Sequence, residues 1–271
     1  MSAGGAPRER DAAPGAGPRD WDAETYDRIS DPQVEMAGPV LDRLALRGDE
    51  TVLDAGCGSG RVTRLLAERL PRGRVLAVDG SPSMVEQARV ALGDRAAVVC
   101  SDLLDLSVPE PVDAVFSNAV FHWVLDHDRL FERLFAALRP GGRLVAQCGG
   151  KGNIGRLRRI GRELAKEPPY AQHFAGWSEP WSYASPLDTR RRLLAAGFED
   201  VETWLEPWPV HPPEPLQYLR AVCLGSQVEV LPEGLRDGYI ETVAERCGAP
   251  LTLEYVRLNI DARRPARPVG G

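Results

Sequence analysis

The stretch VLDAGCGSGRV, residues 52–62, sets three glycines within five positions directly behind a short apolar run. TVLDAG has the length and apolar texture of a strand buried on both faces, and RVTRLLAERL, after the glycines, carries the period of an amphipathic helix. Glycine at positions 56, 58 and 60 removes side chains where the backbone must turn tightly and come close to a ligand. The start of the following helix turns free N–H groups and the positive end of its dipole toward the same place. A plain strand-to-helix turn accounts for one such glycine. Three, with an acid at Asp54, point to a binding loop.

Outward from this loop, strand and helix alternate without a break. RVLAVDG (74–80) reads as a second strand, PSMVEQARVAL (82–92) as a helix capped by Ser81 with Pro82 at its first position, and AAVVC (96–100) as a third strand. VDAVFSN (112–118) is a fourth strand, DRLFERLFAAL (128–138) a helix stopped by Pro140-Gly141-Gly142, and RLVAQC (143–148) a fifth strand. This order predicts an α/β fold: a doubly wound, Rossmann-like parallel sheet with right-handed crossovers and its ligand beyond the carboxyl ends of the strands. Residues 33–46 form a helix ahead of that core.

Past residue 150 the texture changes. A basic helix, NIGRLRRIGRELAKE, is followed by the aromatic-rich YAQHFAGWSEPWSYASP, and two late strands, VETWLEPWPV and LTLEYVRLNIDARR, flank a helical stretch. The chain is thus expected to divide into a disordered arm (1–20), a ligand-binding core (21–150), an insertion forming part of a cap (151–187), a segment completing the sheet (188–262) with a helical insertion over 207–250, and a mobile tail (263–271).

Composition narrows the chemistry. With 33 basic against 39 acidic residues the chain carries a net charge of −6, and no basic stripe interleaved with aromatics is present, which argues against a nucleic-acid partner. No apolar stretch is long enough to span a bilayer, and the first residues lack the apolar core of a secretory signal, so a soluble, cytoplasmic protein acting on a small molecule is expected. Cys57, Cys100, Cys148, Cys223 and Cys247 are widely spaced and include no C-x-x-C pair, so neither a metal site nor a disulfide framework is expected.

Nucleotide-binding loops of the dinucleotide type use G-x-G-x-x-G; here the third glycine comes one residue early and Arg61 stands where Gly or Ala is wanted. Asp79 ends the second strand, where a carboxylate can accept both ribose hydroxyls of an adenosine ligand. Asp102, just beyond the third strand, can meet the amino edge of an adenine, and Asn118 to Val120 end the fourth strand beside the loop.

Taken together, D-A-G-C-G-S-G, V-D-G-S, S-D-L, F-S-N-A and L-R-P-G-G-R-L, spread in order over residues 51–148, resemble the class I S-adenosylmethionine-dependent methyltransferases. The resemblance implies a seven-stranded sheet with its last strand antiparallel, which the two late strands would complete, and S-adenosyl-L-methionine as cofactor. It places Asp54, Gly56, Cys57, Gly58 and Gly60 along the methionine part, Asp79 and Gly80 at the ribose, Met84 near the adenine, Ser101, Asp102 and Leu103 at the adenine edge, and Asn118 with Ala119 beside the loop.

F-H-W-V-x-D-H-x-x-L-F, from Phe121 to Phe131, together with Trp21 and Tyr26 near the amino end, is similar to the trans-aconitate methyltransferase-like branch, which includes enzymes that esterify carboxylic acids. That likeness puts Tyr26 on the donor side and Gln33, His122 and Trp123 on the acceptor side. A carboxylate acceptor is ionised at neutral pH and needs no base, which suits a chain with four histidines and no evident Asp/His dyad. O-methylation of a carboxylic acid is therefore expected. A phenol or carbon acceptor with His122 as base stays open, as do, further off, a nicotinamide oxidoreductase and a non-catalytic cofactor-binding regulator.

Arg156, Arg159 and Arg162 share one helical face, as a carboxylate clamp or as a solvated surface. Tyr170, Phe174, Trp177, Trp181 and Tyr183 either line a pocket, favouring a bulkier, partly hydrophobic acid, or build a satellite core. His127, His173 and His211 read as surface or loop residues.

Overall fold

The structure, a computed structural model, describes residues 31–266, with side chains from Val34 onward. Trp21 and Tyr26, the arm over 1–20 and residues 267–271 lie outside the described residues, and Gln33 is described only as a backbone position in the first helix.

That helix, α1 (Asp31–Arg43), leads into β1 (Thr51–Ala55), α2 (Arg61–Glu68), β2 (Arg74–Asp79), α3 (Pro82–Leu92), β3 (Ala96–Cys100), β4 (Val112–Asn118), α4 (His127–Ala137) and β5 (Leu138–Gly149). The remainder comprises α5 (Gly155–Leu164), α6 (Pro186–Ala195), β6 (Glu199–Val210), two short helices, α7 (Pro215–Tyr218) and α8 (Gly225–Glu229), a longer α9 (Glu233–Cys247), and β7 (Leu253–Arg263). The strands join in one seven-stranded sheet of order β3-β2-β1-β4-β5-β7-β6. Strands β1 to β5 pair parallel, while β7 is antiparallel to both its neighbours, β5 and β6.

Alternation along the strands divides the core. In β1, Val52 faces α1, α2 and α3 with Val40, Leu44, Leu66 and Leu92, whereas its neighbour Leu53 faces α4 and α6 with Leu130, Leu134 and Leu193. All of these are nearly or wholly buried, which explains why the strand is apolar on both faces. A third cluster, with Leu157 and Ile160 of α5, Tyr239 and Val243 of α9 and Tyr255 of β7, forms a cap over the carboxyl end of the sheet's later half.

Two elements differ from the sequence reading. Pro140-Gly141-Gly142 does not stop a helix before a separate strand. Leu138 already pairs with Val112, and pairing resumes at Ala114 with Arg143, so the three residues form an irregularity inside β5, where Gly141 takes φ 78°. The proposed insertion over 207–250 begins inside β6, which runs to Val210. At the far end, Arg264 is pinned by its side chain to the carbonyls of Phe135 and Leu138, and its N–H donates to Gly142.

The strand order reverses between β1 and β4: β2 and β3 lie on one side, β5 on the other. A crevice therefore opens beyond the carboxyl ends of β1 and β4, the place where ligands bind in such sheets.

Candidate active site

One side of the crevice is the glycine loop. The N–H groups of Gly56 and Cys57 both donate to the Val78 carbonyl, fastening the loop to the end of β2. Gly56, Gly58 and Gly60 all take positive φ, but they meet different surroundings. A Cβ on Gly56 would lie 2.2 Å from Val120 Cγ2, so this glycine lets Val120, the second residue beyond β4, close over the loop. A Cβ on Gly58 would meet nothing within 4 Å, so this glycine borders open space in the crevice.

Two carboxylates flank the loop. Asp79 accepts the Gly58 N–H at 2.8 Å and the Ser81 N–H at 2.9 Å, tying the tip of the loop to the start of α3. Burial raises its carboxyl above the ordinary range, opposed by these N–H bonds. Asp54 is 2% exposed and accepts the Thr63 hydroxyl at 2.7 Å. Burial pushes it up to about 7; the Thr63 bond opposes this, and the Asp79 charge adds to it. Two acids beside the loop suit the cationic amine and ribose hydroxyls of an adenosyl amino acid and repel a pyrophosphate.

The other predicted donor-side residues gather nearby. Ser81 caps α3 through the Met84 N–H, as its sequence position predicted, and Met84 is buried. Asp102 accepts the Leu104 N–H at 2.9 Å, and Ser101 donates to the Asp102 carbonyl; Leu103 is buried behind them. Cys57 is buried, with burial pushing its thiol far up, so it packs the loop as a neutral group. Asn118 ends β4, and Ala119 takes φ 63°, a strained conformation for alanine, with its N–H on the Gln147 carbonyl.

Beyond Ala119 the chain enters a second cavity, lined by His122, Trp123, Asn153, Trp181, Tyr183 and Arg257 among others. His122 is 6% exposed, and its Nδ1 accepts the Gly149 N–H at 3.2 Å. Burial lowers its pKa well below the ordinary value, and the Arg257 charge lowers it further. The ring stacks on Tyr183 at 5.5 Å, and the His122 carbonyl accepts the Ser182 N–H at 2.7 Å, so the aromatic insertion is fastened directly over this histidine. Gly149 makes this packing possible, since a Cβ there would lie 2.5 Å from Tyr183.

The aromatics divide between both expected roles. Trp181 and Tyr183 line the cavity, whereas Tyr170 and Phe174 pack on Tyr239 in the cap's own core. Arg156, Arg159 and Arg162 are exposed and stand outside this cavity. Arg158, between them, turns inward, paired with Glu179 and lying over Tyr183 at 4.9 Å and Trp181 at 5.9 Å. His127 is not a surface residue. It is 3% exposed, with Nε2 against the Phe121 carbonyl at 2.9 Å, because the turn after β4 folds back on the start of α4.

Sequence reasoning passed over Arg257. It lies on β7 opposite Gly149, is 2% exposed, and donates from Nε to Gln147 Oε1 at 3.1 Å. Gln147 in turn donates to Asn259, which donates to Glu206. A signal was present: Arg257 falls in phase with Leu253, Tyr255 and Asn259 along β7, all buried, where a charge is out of place.

A signature described as methyltransferase domain matches residues 53–146. The trans-aconitate 2-methyltransferase of Variovorax paradoxus is 32% identical over 232 residues, covering 84% of this chain and 88% of the relative. That of Paracidovorax citrulli is 31% identical over 91% of this chain and 99% of its own. The chain belongs to the S-adenosylmethionine-dependent methyltransferase family. Among solved structures, a methyltransferase of that dependence from Mesorhizobium loti is 25% identical, with a TM-score of 0.52 over 84% of this chain and 97% of that one. The YcgJ protein of Bacillus subtilis, 15% identical, shares the fold with a TM-score of 0.63 over 85% and 98%. In this methyltransferase the open space at Gly58 and the acids Asp54 and Asp79 could hold a methyl donor.

Proposed function

We propose that this S-adenosylmethionine-dependent methyltransferase esterifies a small carboxylic acid. The reading rests on one observation above the others: the Nδ1 lone pair of His122 is taken by the Gly149 N–H. A backbone N–H can only donate, so the neutral ring carries its proton on Nε2 and faces the cavity as a donor, with no free lone pair to remove a proton. The other titratable groups in the cavity are no better as bases. Burial pushes Tyr183 up to about 12, Cys223 likewise to about 12 and Tyr255 well above its ordinary value, and Arg257, a guanidinium, has no lone pair to offer.

A pocket of donors without a base suits a nucleophile that arrives already ionised. A carboxylate, with an ordinary pKa of about 4, meets that condition; a phenol or alcohol does not. The curated relatives, named for trans-aconitate, support the same class of acceptor.

When bound, S-adenosylmethionine supplies a methyl group on a positively charged sulfur and a neutral thioether as leaving group. Asp79 would hold the ribose hydroxyls, Asp54 the amino group, Met84, Asp102 and Leu103 the adenine, and the backbone of Gly56 to Gly60 the methionine part. With such a donor a carboxylate oxygen would take the methyl group as the thioether leaves with the C–S electron pair, so no residue of this chain would have to accept a proton. His122 Nε2–H orients the attacking acid, Trp123 walls the approach, and the strap from Trp181 to Tyr183 excludes water.

Incubation with isotope-labelled donor and a panel of carboxylic acids and phenols, read by mass, tests the reading. Mild alkali releases methanol from a methyl ester and leaves an ether or C-methyl product intact. Product from phenols alone, or a label that survives alkali, contradicts it.

A further inference from the structure

Among the described residues, the buried side-chain atoms without a hydrogen-bond partner include two that belong to the lining of the His122 cavity, Arg257 Nη2 and Trp181 Nε1. Both side chains are more than nine-tenths buried, at 2% and 7% exposure. Both atoms are donors. Arg257 is bonded through Nε to the neutral Gln147. Glu206 stands opposite it on β6 but accepts from Asn259, and among the described residues no ion pair to the Arg257 guanidinium is found. A buried cation without a counter-ion is unfavourable unless something supplies the missing charge.

We propose that Arg257 and Trp181 form the receptor for the acceptor's carboxylate, the group that is methylated. This rests on the reading of the enzyme as a carboxylate methyltransferase and names the residues that recognise the acid. Guanidinium and indole N–H groups only donate, and an ionised carboxylate only accepts, so the two sets are complementary. Arg257 lies opposite Gly149 on β7, and Gly149 holds His122 in place, so receptor and orienting histidine meet at one point of the sheet. Trp181 is brought to the same point by the insertion, beside Tyr183 and Trp123.

The arrangement also bears on turnover. The carboxylate that is methylated enters as an anion and satisfies Arg257; once esterified, that group is neutral, whatever other carboxylates the molecule carries, and the guanidinium loses its partner again. The receptor thus holds substrate and releases product.

Thermal denaturation with S-adenosylhomocysteine present, with added trans-aconitate or its neutral trimethyl ester at matched ionic strength, reads binding directly. Trans-aconitate is expected to raise the melting temperature of the wild type more than the triester does. Arg257→Met is expected to abolish that difference, Arg257→Lys to retain part of it, and Trp181→Phe, which keeps an aromatic ring in place and drops the N–H, to weaken acid binding three- to tenfold. Equal protection by acid and triester in the wild type, or full protection of Arg257→Met by the acid, overturns the receptor. Methyl transfer to the acid panel separates the two proposals. If the acid protects the wild type through Arg257 yet no acid is esterified, the carboxylate reading falls, and with it the receptor's role toward the methylated group, while acid binding at Arg257 and Trp181 stands; if Arg257→Met esterifies acids at the wild-type rate, only the receptor falls.

Discussion

His122 and Gly149 are joined by a bond whose direction leaves no choice: the backbone N–H donates to Nδ1 at 3.2 Å. The residue that sequence left open as base or donor is thereby a donor at Nε2. A substitution that keeps a donor should then be tolerated better than one that removes it. His122→Gln is expected to retain much of the acid-methylating activity, while His122→Phe loses roughly ten- to hundredfold in kcat/KM, the range for one hydrogen bond to a charged group. Steady-state kinetics on both variants decides it, since a general base would be lost equally in each.

Gly56 and Gly58 are both in the left-handed region, and their substitution should fail in different ways. Alanine at 56 meets Val120 at 2.2 Å and must push β4 and the loop apart, so Gly56→Ala should melt well below the wild type. Alanine at 58 meets only open space, so Gly58→Ala should lose about 1 kcal/mol for its backbone conformation and bind donor much more weakly. Thermal denaturation and calorimetric titration with S-adenosylhomocysteine, run on the same two variants, measure the two effects. A Gly58→Ala with unchanged donor affinity would place the donor elsewhere.

Asp54 makes both stability and donor binding depend on pH. Its folded pKa, about 7, lies above the ordinary 3.8 because the carboxyl is buried. The folded protein therefore holds a proton that the unfolded chain has released, and this group's contribution to stability is present below about pH 4 and is lost as pH rises toward 7. Relative to Asp54→Asn, the donor-free wild type is expected to lose stability between pH 5 and about 7 and to level off above it. A cationic donor favours the ionised carboxylate, so donor affinity should rise from about pH 6 to 8 in the wild type and stay flat in the variant. Titration calorimetry in two buffers of different ionisation enthalpy should detect proton release on binding near pH 6.5.

What could be read from the sequence was whatever local period and local chemistry determine. The strands at 96–100 and 112–118 and the helix at 82–92 fall on the residues expected, because each carries its own alternation or its own cap, as Ser81 does for α3. The glycine loop was legible because its spacing is a local property. Arg257 was not, since a buried charge becomes meaningful only when β5, β7 and the aromatic insertion meet to build a cavity whose lining holds no acid. His127 was misread for a related reason: the partner that allows its burial, the Phe121 carbonyl, arrives only when a short turn folds back. The Pro-Gly-Gly after α4 reads as a helix stop in the sequence because a helix stop and a strand irregularity use the same residues, and only the pairing of Leu138 with Val112 separates them.

The strap over the cavity is held by the pair Arg158–Glu179, each 19% exposed, with the guanidinium spread over Tyr183 and Trp181. Glu179→Gln keeps the shape and removes the charge, leaving Arg158 half-buried and without its counter-ion. The expected cost is roughly 1–3 kcal/mol of stability, the range for a lost charge-assisted hydrogen bond. Its effect on catalysis should be selective, because Trp181 and Tyr183 of the strap line the cavity proposed for the acceptor, whereas the glycine loop proposed for the donor packs on Val120. The acceptor KM should rise several-fold while kcat changes little and S-adenosylhomocysteine binds as tightly as before. Hydrogen exchange over residues 177–183 should quicken in the variant, since the backbone there keeps its bond from Ser182 to His122 but loses the ion pair that presses the rings down. Loss of donor affinity in Glu179→Gln, with the acceptor KM unmoved, would mean that the strap serves the donor crevice instead.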